Sequence, residues 1–191
     1  MKLACAILAA GASRRLGQPK QLIEHAGKPL VRHVVDQLTE ANLGPIAVVV
    51  GSDGDRVSAA LSGSDSERLD NPDWHEGIAS SIRVAATWAE RSHYDALLLA
   101  TCDQPHLDRA HAQALCELFD RTGQITASSY SGTTGVPAIF PASWFARLIQ
   151  LTGDRGAGAL LKRDSTVQRV DWPEGAYDID TPEDLEALRR T

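Results

Sequence analysis

A glycine-rich stretch near the start of the chain carries a cluster of positive charge. The segment LAAGASRRLGQPK follows an apolar run, and its glycines, Gly11 and Gly17, permit backbone conformations that let a ligand approach closely. Its cations are Arg14, Arg15 and Lys20. Glycines beside such cations at the end of a buried strand predict a loop that binds a polyphosphate. The alternative is a solvated loop whose basic side chains bind nothing.

Neither of the two familiar phosphate-binding motifs fits this loop. A Walker A motif has four residues between its glycines, whereas five residues separate Gly11 from Gly17, and no hydroxyl residue follows Lys20. A dinucleotide fingerprint has its second glycine at the position where Ser13 stands. The loop therefore needs an interpretation of its own.

Two acidic segments lie later in the chain. Asp103 follows an apolar run in LLLATCDQP, and YDIDTPEDL carries Asp178 and Asp180 directly before a predicted helix. Mg²⁺ prefers oxygen ligands and usually binds through one or two carboxylates plus substrate phosphates. Asp103 is therefore the first candidate metal ligand and Asp180 the second; a turn cap and a helix-start residue are the respective alternatives. Asp178 is interpreted as mostly structural.

The segment NPDWHEGIASSIR joins a turn to the start of a helix near Gly77. The backbone N–H groups at that helix start, with Asn71, Ser80 and Ser81, are suited to bind a base or a ribose through hydrogen bonds. An ordinary capped helix is the alternative. His75 has no partner at metal-ligand spacing and is interpreted as a surface or packing residue. No Gly-x-Ser-x-Gly motif indicates a hydrolase.

The apolar pattern predicts the scaffold that brings these segments together. Continuous apolar runs predict strands buried on both faces over Leu3–Ala9, Ile46–Val50 and Asp95–Ala100. Helices are predicted over PLVRHVVDQLTEAN, which begins at Pro29, over ASSIRVAATWAERS and over residues 108–121, and QITASSY is predicted as a strand. This alternation indicates a mostly parallel sheet in a three-layer α/β domain. The loops after Ala9, Val50 and Ala100 are then expected to face one crevice.

The last third of the chain has a less regular pattern. GVPAIF is predicted as a strand at an edge or end of the sheet, because Pro137 has no N–H to donate. ASWFARLIQL and GAGALLKRD predict short helices, and TVQRV predicts a strand. TPEDLEALRR predicts a closing helix with Thr181 as its cap and Pro182 at its first position. We expect this region to form a small lobe beside the sheet.

The net charge and the cysteine content limit the classes of function that are expected. The 191 residues have a formal net charge of -6, which argues against a general nucleic-acid binder. The cysteines, Cys5, Cys102 and Cys116, are odd in number and widely spaced, so no disulfide framework or zinc site is expected. A reducing cytoplasm is the expected compartment. A signal peptide at MKLACAILAAGAS is the alternative, and no other segment is apolar for long enough to span a membrane.

Six motifs occur in the order found in one enzyme family, namely LAAGASRRLGQPKQL, NPDWHEGIASSIR, CDQP, GTTGVPAIF, LTGDRGAGALL and DIDTPEDL. On these motifs, which span almost the whole chain, it resembles the MobA-like nucleotidyltransferases and, within them, the molybdenum cofactor cytidylyltransferase (MocA) branch. The resemblance implies a single domain over residues 1–191 with a Rossmann-like nucleotidyltransferase fold. It also implies a nucleotide half at about 1–105 and an acceptor half, with a small acceptor-binding lobe, at about 106–191.

The resemblance implies a specific reaction. CMP would be transferred from CTP to the terminal phosphate of molybdenum-loaded molybdopterin, with Mg²⁺ as cofactor and pyrophosphate as the second product. A molybdenum hydroxylase would receive the finished cofactor, and neither nucleic acid nor a membrane is an expected partner. The LAAG form of the first motif, in place of LAGG, resembles the members of the family that use cytidine.

The resemblance, added to the residue patterns above, also predicts the site. Arg15, Lys20 and Asp103 are the predicted catalytic residues, and Asp103 and Asp180 the predicted metal ligands. The predicted nucleotide-binding residues are Leu8, Ala9, Ala10, Gly11, Ser13, Arg14, Gly17, Asn71, Gly77, Ser80 and Ser81. The predicted acceptor-binding residues are Gly135, Pro137, Gly153, Asp154 and Gly156.

The chain departs from the family pattern at a few positions, and these keep alternatives open. Gly158 stands where many relatives have an arginine, and glycine cannot replace a bidentate phosphate contact. Leu16 stands where methionine is common, which is a nearly isosteric change, and Ile82 stands where leucine is common. The alternatives are a nucleotidyltransferase for a sugar phosphate or phospho-alcohol, and a non-catalytic carrier of the molybdenum cofactor. An oxidoreductase is a weaker alternative, because the dinucleotide fingerprint is absent.

Overall fold

The computed structural model describes residues 1–162 and 164–188, which fold around one seven-stranded sheet. The strands are β1 (Leu3–Leu8), β2 (Glu24–His25), β3 (Lys28–Pro29), β4 (Ile46–Val50), β5 (Glu67–Asp70), β6 (Ala96–Thr101), β7 (Thr126–Tyr130), β8 (Thr133–Pro141) and β9 (Gln168–Asp171). The α-helices are α1 (Leu30–Ala41), α2 (Gly54–Ala60), α3 (Ile78–Arg91), α4 (Arg109–Thr122), α5 (Phe145–Ile149), α6 (Gly158–Leu161) and α7 (Pro182–Leu188). Short 3₁₀ turns cover Lys20–Leu22, Trp74–Glu76, Ala142–Trp144 and Pro173–Ala176.

The sheet has the strand order β5-β4-β1-β6-β8-β7-β9, and β2 pairs with β3 in a separate small hairpin. In the large sheet only β8 runs antiparallel to its neighbours. At its centre, Leu8 of β1 pairs with Val49 of β4 and Thr101 of β6, so these three strands end at the same edge. Helices cover both faces, which confirms the predicted three-layer α/β fold with a mostly parallel sheet.

Two apolar cores, one on each face of the sheet, explain why these segments form these elements. Helices α1, α2 and α4 pack against one face, and α3, α5 and α6 pack against the other. The helical period of α1 places its apolar side chains on one buried stripe, as predicted, with Leu30, Val34, Val35 and Leu38 at most 1% exposed. Helix α1 begins at Leu30, one residue later than predicted, because Pro29 is still extended.

The position of β8 corrects one prediction. The strand with Pro137 was expected at an edge or end of the sheet, but β8 lies between β6 and β7. The pairing with β6 stops at Ala138, and the pairing with β7 jumps from Ala138 to Gly135, so Pro137 falls in a bulge. A missing N–H is tolerated there because no ladder hydrogen bond is required of it.

The second half of the chain is joined to the first through the sheet. The strands β7, β8 and β9 continue it beyond β6, so the region predicted to form a lobe beside the sheet contributes strands to it. Helix α7 begins at Pro182 as predicted, and Thr181 caps it by exchanging hydrogen bonds with Asp184. The predicted helices GAGALLKRD and TPEDLEALRR include Arg163, Arg189 and Arg190, which lie outside the described residues. Over residues 1–162 and 164–188, no helix has both the length and the apolar character needed to cross a membrane.

A buried histidine links α4 to the sheet. The ring of His111 stacks on Trp172, with centroids 4.6 Å apart, and its Nε2 lies 2.7 Å from Oγ of Ser128. Because Ser128 donates its own proton to the carbonyl of Pro137, the histidine must donate from Nε2. Burial lowers the pKa of His111 to about 4, so the ring stays neutral in the folded protein at neutral pH.

This histidine is expected to make the fold sensitive to acid. Below about pH 6.5 the unfolded chain protonates His111 while the folded protein does not, so its contribution to stability is lost as the pH falls towards about 4. The loss is at most about 3 kcal/mol. Urea unfolding at pH 7.0 and 4.5 measures it, with His111→Gln as the comparison because carboxylates also titrate in this range. An equal pH dependence in the variant and the native protein would contradict this role of His111.

Candidate active site

The loops after β1, β4 and β6 meet at one edge of the sheet, as predicted. The N–H of Ser52, after β4, donates to the carbonyl of Ala10, after β1, at 3.1 Å. On the other side, the N–H of Ile179 donates to the carbonyl of Asp103, after β6, at 3.0 Å. The three loops and the segment before α7 therefore form one continuous surface.

A cavity of about 380 Å³ opens on this surface. Of the residues predicted to bind the nucleotide, those lining it are Leu8, Ala10, Gly11, Arg14, Gly77 and Ser81. Lys20 and Asp103, predicted as catalytic, also line it, as does Asp154, predicted to contact the acceptor. Basic, acidic and backbone groups thus converge on one space large enough for part of a nucleotide.

Other predicted nucleotide-binding residues support this cavity without lining it. Ala9 is buried beneath the loop, and Ser13 Oγ accepts a hydrogen bond from the N–H of Lys20 at 3.1 Å. Gly17 has φ of +71° in the turn that follows, a conformation that suits glycine. These residues shape the loop, and a role in direct contact with a nucleotide stays a prediction for each.

Asn71 and Ser80 are engaged in an internal hydrogen-bond network. The side-chain amide of Asn71 donates to Oγ of Ser80 at 2.8 Å and to Oγ of Ser81 at 3.0 Å. The hydroxyl of Ser80 donates to the carbonyl of Gly77 at 2.8 Å. The network fixes the start of α3 against the end of β5, so the backbone there is positioned by buried side chains.

An ion cluster includes Lys20 and Asp103 of the cavity lining. The ammonium of Lys20 is 2.5 Å from Oδ2 of Asp103 and 2.9 Å from Oδ1 of Asp180, and Arg15 contacts the other oxygen of Asp180 at 2.9 Å. Burial alone would lower the pKa of Lys20, but the neighbouring Asp103 carboxylate and the hydrogen bonds raise it above its ordinary value. Lys20 is therefore fully charged at neutral pH, whereas Arg15, with 75% of its side chain exposed, is weakly held.

The acidic partners of Lys20 are the groups suited to hold a divalent cation. Oxygens of Asp103 and Asp180 converge on one ammonium, so the two carboxylates are placed to share a cation. Two carboxylates plus phosphate oxygens match the ligand set of Mg²⁺. Among the described residues no cluster of three or more His, Cys, Asp or Glu is arranged to hold a metal on its own. Water molecules or phosphate oxygens would complete the coordination.

A second cavity, of about 320 Å³, shares part of its lining with the first. Asp103 and Thr101 line both cavities, and the second is also lined by Tyr130, Val136 and Asp178. Burial, with the nearby Asp103 and Asp180 carboxylates, raises the pKa of Asp178 above its ordinary value. Asp178, interpreted from the sequence as structural, therefore faces a ligand-sized space beside the ion cluster.

The predicted acceptor-binding residues fall into two groups. Gly135 and Pro137 flank Val136 of the second cavity, and a Cβ on Gly135 would collide with the hydroxyl of Tyr130. The second group, Gly153, Asp154 and Gly156, belongs to a loop that packs on the start of α3 beside the first cavity. The structure therefore places the two groups next to different cavities.

Close backbone contact holds that loop against α3. The N–H of Ala79 donates to the carbonyl of Gly153 at 3.1 Å, and a Cβ on Gly77, whose φ is +119°, would lie 2.7 Å from that carbonyl oxygen. Arg83 pairs with Glu76 and also donates to the carbonyl of Leu151 at 2.9 Å. The hydrogen bonds from Arg83 lower the pKa of Glu76 to about 2. Only a glycine fits at position 77 at this contact.

Several residues of the site have no role assigned from the sequence. Trp74, His75 and Ile78 line the first cavity, although the sequence indicates only a surface or packing role for His75. Gln21 lies directly beneath the loop, 1% exposed, and donates to the carbonyls of Ala9 and Gly11. In the sequence, the signals that could have identified them are the aromatic residue within NPDWHEG, which is Trp74, and the glutamine directly after Lys20, which is Gln21.

Proteins of similar sequence and fold cover nearly the whole chain. Residues 5–169 match the family model of the MobA-like NTP transferase domain. The nicotine blue oxidoreductase of Paenarthrobacter nicotinovorans is 27% identical over 194 residues, which cover 95% of this chain and 94% of that protein. The probable molybdenum cofactor guanylyltransferase of Pyrococcus horikoshii is 50% identical over 52 residues, 27% of each chain. The structure of Rv0371C from Mycobacterium tuberculosis H37Rv in complex with manganese is 23% identical, covers 100% of both chains and has a TM-score of 0.84.

Proposed function

The chain belongs to the MobA-like NTP transferase family, and we propose that it transfers CMP from CTP to the terminal phosphate of molybdenum-loaded molybdopterin, releasing pyrophosphate. The observation that carries the proposal is the position of Asp103. It lines both cavities and holds the ammonium of Lys20, so a nucleotide in the first cavity and an acceptor in the second would both reach it.

The first cavity is the proposed CTP site. Its glycine-rich wall allows close approach of a phosphate chain, and Arg14 and Lys20 supply the positive charge that a triphosphate requires. The apolar side chains of Trp74 and Ile78 provide a surface for the base. The choice of cytosine rests on the LAAG form of the loop.

Asp103 and Asp180 are the residues that would hold the divalent cation, which we propose to be Mg²⁺. Their convergence on one ammonium supports this, and so does the manganese complex of the similarly folded mycobacterial protein. When held by these two carboxylates, a divalent cation would supply positive charge to offset the negative charge that develops as the anhydride bond breaks. Lys20 would then release the carboxylates and turn its ammonium to the triphosphate.

The reaction requires alignment more than proton transfer. The acceptor phosphate is already a nucleophile, so no general base is needed. The protein instead holds the acceptor in line with the α-phosphate, with Lys20 and Arg15 stabilising the charge of the leaving pyrophosphate. Gly135 and Pro137, two of the predicted acceptor-binding residues, lie on either side of Val136, which lines the second cavity, and this supports its use as the acceptor site.

The proposed reaction uses both halves of one domain. Residues up to about 105 form the nucleotide half and those from about 106 the acceptor half of one domain. The reaction takes place in the cytoplasm, where unpaired Cys5, Cys102 and Cys116 stay reduced. A molybdenum hydroxylase is the proposed recipient of the product.

A second candidate is transfer to a different phosphorylated acceptor. Gly158 stands where many relatives have an arginine, and the second cavity has no lysine or arginine among its described lining residues, so these residues do not by themselves select the molybdopterin phosphate as the acceptor. A carrier that does not catalyse transfer is disfavoured by the arrangement of Lys20 and Asp103, which binding alone does not require. The oxidoreductase activity named for one relative would need a redox cofactor, and the loop lacks the Gly-x-Gly-x-x-Gly fingerprint.

Nucleotide selectivity tests the proposal at its first step. Titration calorimetry with CTP, GTP, ATP and UTP in the presence of Mg²⁺ is expected to give a Kd for CTP at least about 10-fold below the others. Titration of CTP in EDTA is the control for the cation. Tighter binding of GTP would contradict the assignment to cytidylyl transfer, whereas equal binding of all four would contradict base recognition by this loop.

A further inference from the structure

The side chain of Gln21 is buried beneath the glycine-rich loop and forms hydrogen bonds with its backbone. It lies in the 3₁₀ turn Lys20–Leu22, is 1% exposed, and its amide nitrogen donates to the carbonyls of Ala9 and Gly11, both at 2.8 Å. One side chain thus uses both of its N–H groups on two carbonyls of the same loop. The carbonyl between them, on Ala10, accepts from the N–H of Ser52.

These hydrogen bonds determine which way the loop's own donors point. In a trans peptide the N–H is directed opposite to the carbonyl of the same unit. Because the carbonyls of Ala9 and Gly11 face Gln21, the N–H groups of Ala10 and Ala12 face away from it. Ala10 and Ala12 both line the first cavity, and within the described chain neither N–H group has a hydrogen-bond partner.

The amide oxygen of Gln21 indicates that the side chain is used for its two donated hydrogen bonds. This oxygen, Oε1, is buried and accepts no hydrogen bond from any described residue. An unpaired buried acceptor costs free energy, so a side chain selected only to fill this space would better be apolar. The two donated hydrogen bonds are the contribution that a methionine of similar volume lacks.

We propose that Gln21 is a positioning residue for the nucleotide: it holds the carbonyls of Ala9 and Gly11 so that the N–H groups of Ala10 and Ala12 are directed at the phosphates. This inference rests on the proposed function, since it takes a nucleoside triphosphate as the ligand of the first cavity. Gln21 itself touches no ligand. Because it shares a 3₁₀ turn with Lys20, it also connects the loop's donors to the turn that carries the ammonium.

Gln21→Met tests the proposal, because it keeps the volume and removes both donors. We expect its Kd for CTP and for inorganic tripolyphosphate to rise by the same factor, about 10- to 100-fold, since two oriented hydrogen bonds to a charged group are lost. In turnover, the KM for CTP should rise while kcat at saturation changes by less than about threefold, as for a group that acts on bound and transition states alike.

Gln104→Met is the matched control for nucleotide affinity. Gln104 is also buried and also donates to two backbone carbonyls, those of Val136 and Gly175, but it lines the second cavity and not the first, so it serves as a control for nucleotide affinity and not for turnover. We expect its Kd for tripolyphosphate to match that of the native protein. Urea unfolding of both variants shows whether each is folded under the titration conditions.

A measurement on the native protein keeps the test valid should Gln21→Met not fold. In amide NMR spectra, tripolyphosphate is expected to shift the N–H resonances of Ala10 and Ala12. Unshifted resonances despite binding, or a folded Gln21→Met that binds as tightly as the native protein, would overturn the role of Gln21 and leave the proposed function intact. A native protein that binds neither CTP nor tripolyphosphate would overturn both.

Discussion

Replacing Asp103 with asparagine is expected to lower kcat for nucleotidyl transfer by about 10²- to 10³-fold, with Kd for CTP changed by less than about threefold. The substitution keeps the size of the side chain and removes the negative charge that holds the ammonium of Lys20 at 2.5 Å. It also removes one of the two carboxylates proposed to hold the cation. CTP is itself an anion, so the loss of a nearby carboxylate does not oppose its binding.

The control for this prediction is Asp36→Asn. Asp36 is also ion-paired, with Lys28 and Arg32, but it lies on α1 away from both cavities. Single-turnover kinetics and titration calorimetry on both variants separate the chemical step from binding. The assignment of Asp103 fails if its variant loses affinity for CTP and keeps its kcat.

Replacing Lys20 with methionine is expected to have the largest effect on kcat/KM, a fall of about 10³-fold or more. The ammonium is charged at neutral pH and lies close to two carboxylates, and the side chain that carries it is only 19% exposed. Removing it takes away the positive charge for the triphosphate in both the ground and transition states. We therefore expect KM for CTP to rise and kcat to fall in Lys20→Met, whereas in Asp103→Asn kcat falls and the affinity for CTP is almost unchanged.

Lys28→Met is the matched control, because it removes the same charge from an ion pair on the surface. Its kcat/KM is expected to stay within about twofold of the native value, as for an exposed pair far from the site. Steady-state rates at varied CTP measure both variants, and urea unfolding corrects for any loss of folded Lys20→Met. Similar losses in the two variants would indicate a general charge effect and contradict a specific role of Lys20.

The centre of the fold could be predicted because burial on both faces leaves a direct trace in the sequence. The run Ile46–Val50 is apolar at every position, and the structure has a strand with those bounds. Strand β5, by contrast, was not predicted, since ERLD carries three charges and has no apolar run. It lies at the edge of the sheet, where side chains are solvated and propensity gives little signal.

Pro137 shows how local rules are overridden by the surrounding structure. Proline is excluded from a regular central ladder, and the sequence alone gives no sign of a bulge at that position. The register shift between β7 and β8 places it where no ladder hydrogen bond is needed. The prediction that this segment is a strand was therefore right, and the prediction that the strand lies at an edge was wrong.

The individual residues of the candidate site could be predicted from the sequence, but several contacts between them could not. The positions of Lys20 and Asp103 followed from loops at the ends of parallel strands, and the structure brings them into contact. The contact of Lys20 with Asp180, 160 residues later, depends on where the last segment returns to the sheet, which no local pattern encodes. Gln21 was missed because its role depends on burial beneath the loop.

The most direct test of the proposed function is pyrophosphate release with Mg²⁺ and molybdenum-loaded molybdopterin, with CTP, GTP, ATP and UTP supplied separately. The proposed function predicts release with CTP, little with the other three, and loss of release in Asp103→Asn. Release that requires a different phosphorylated acceptor would retain the nucleotide half of the proposal and replace the acceptor. No release with any nucleotide, although the protein binds the molybdenum cofactor, would contradict cytidylyl transfer and favour a carrier.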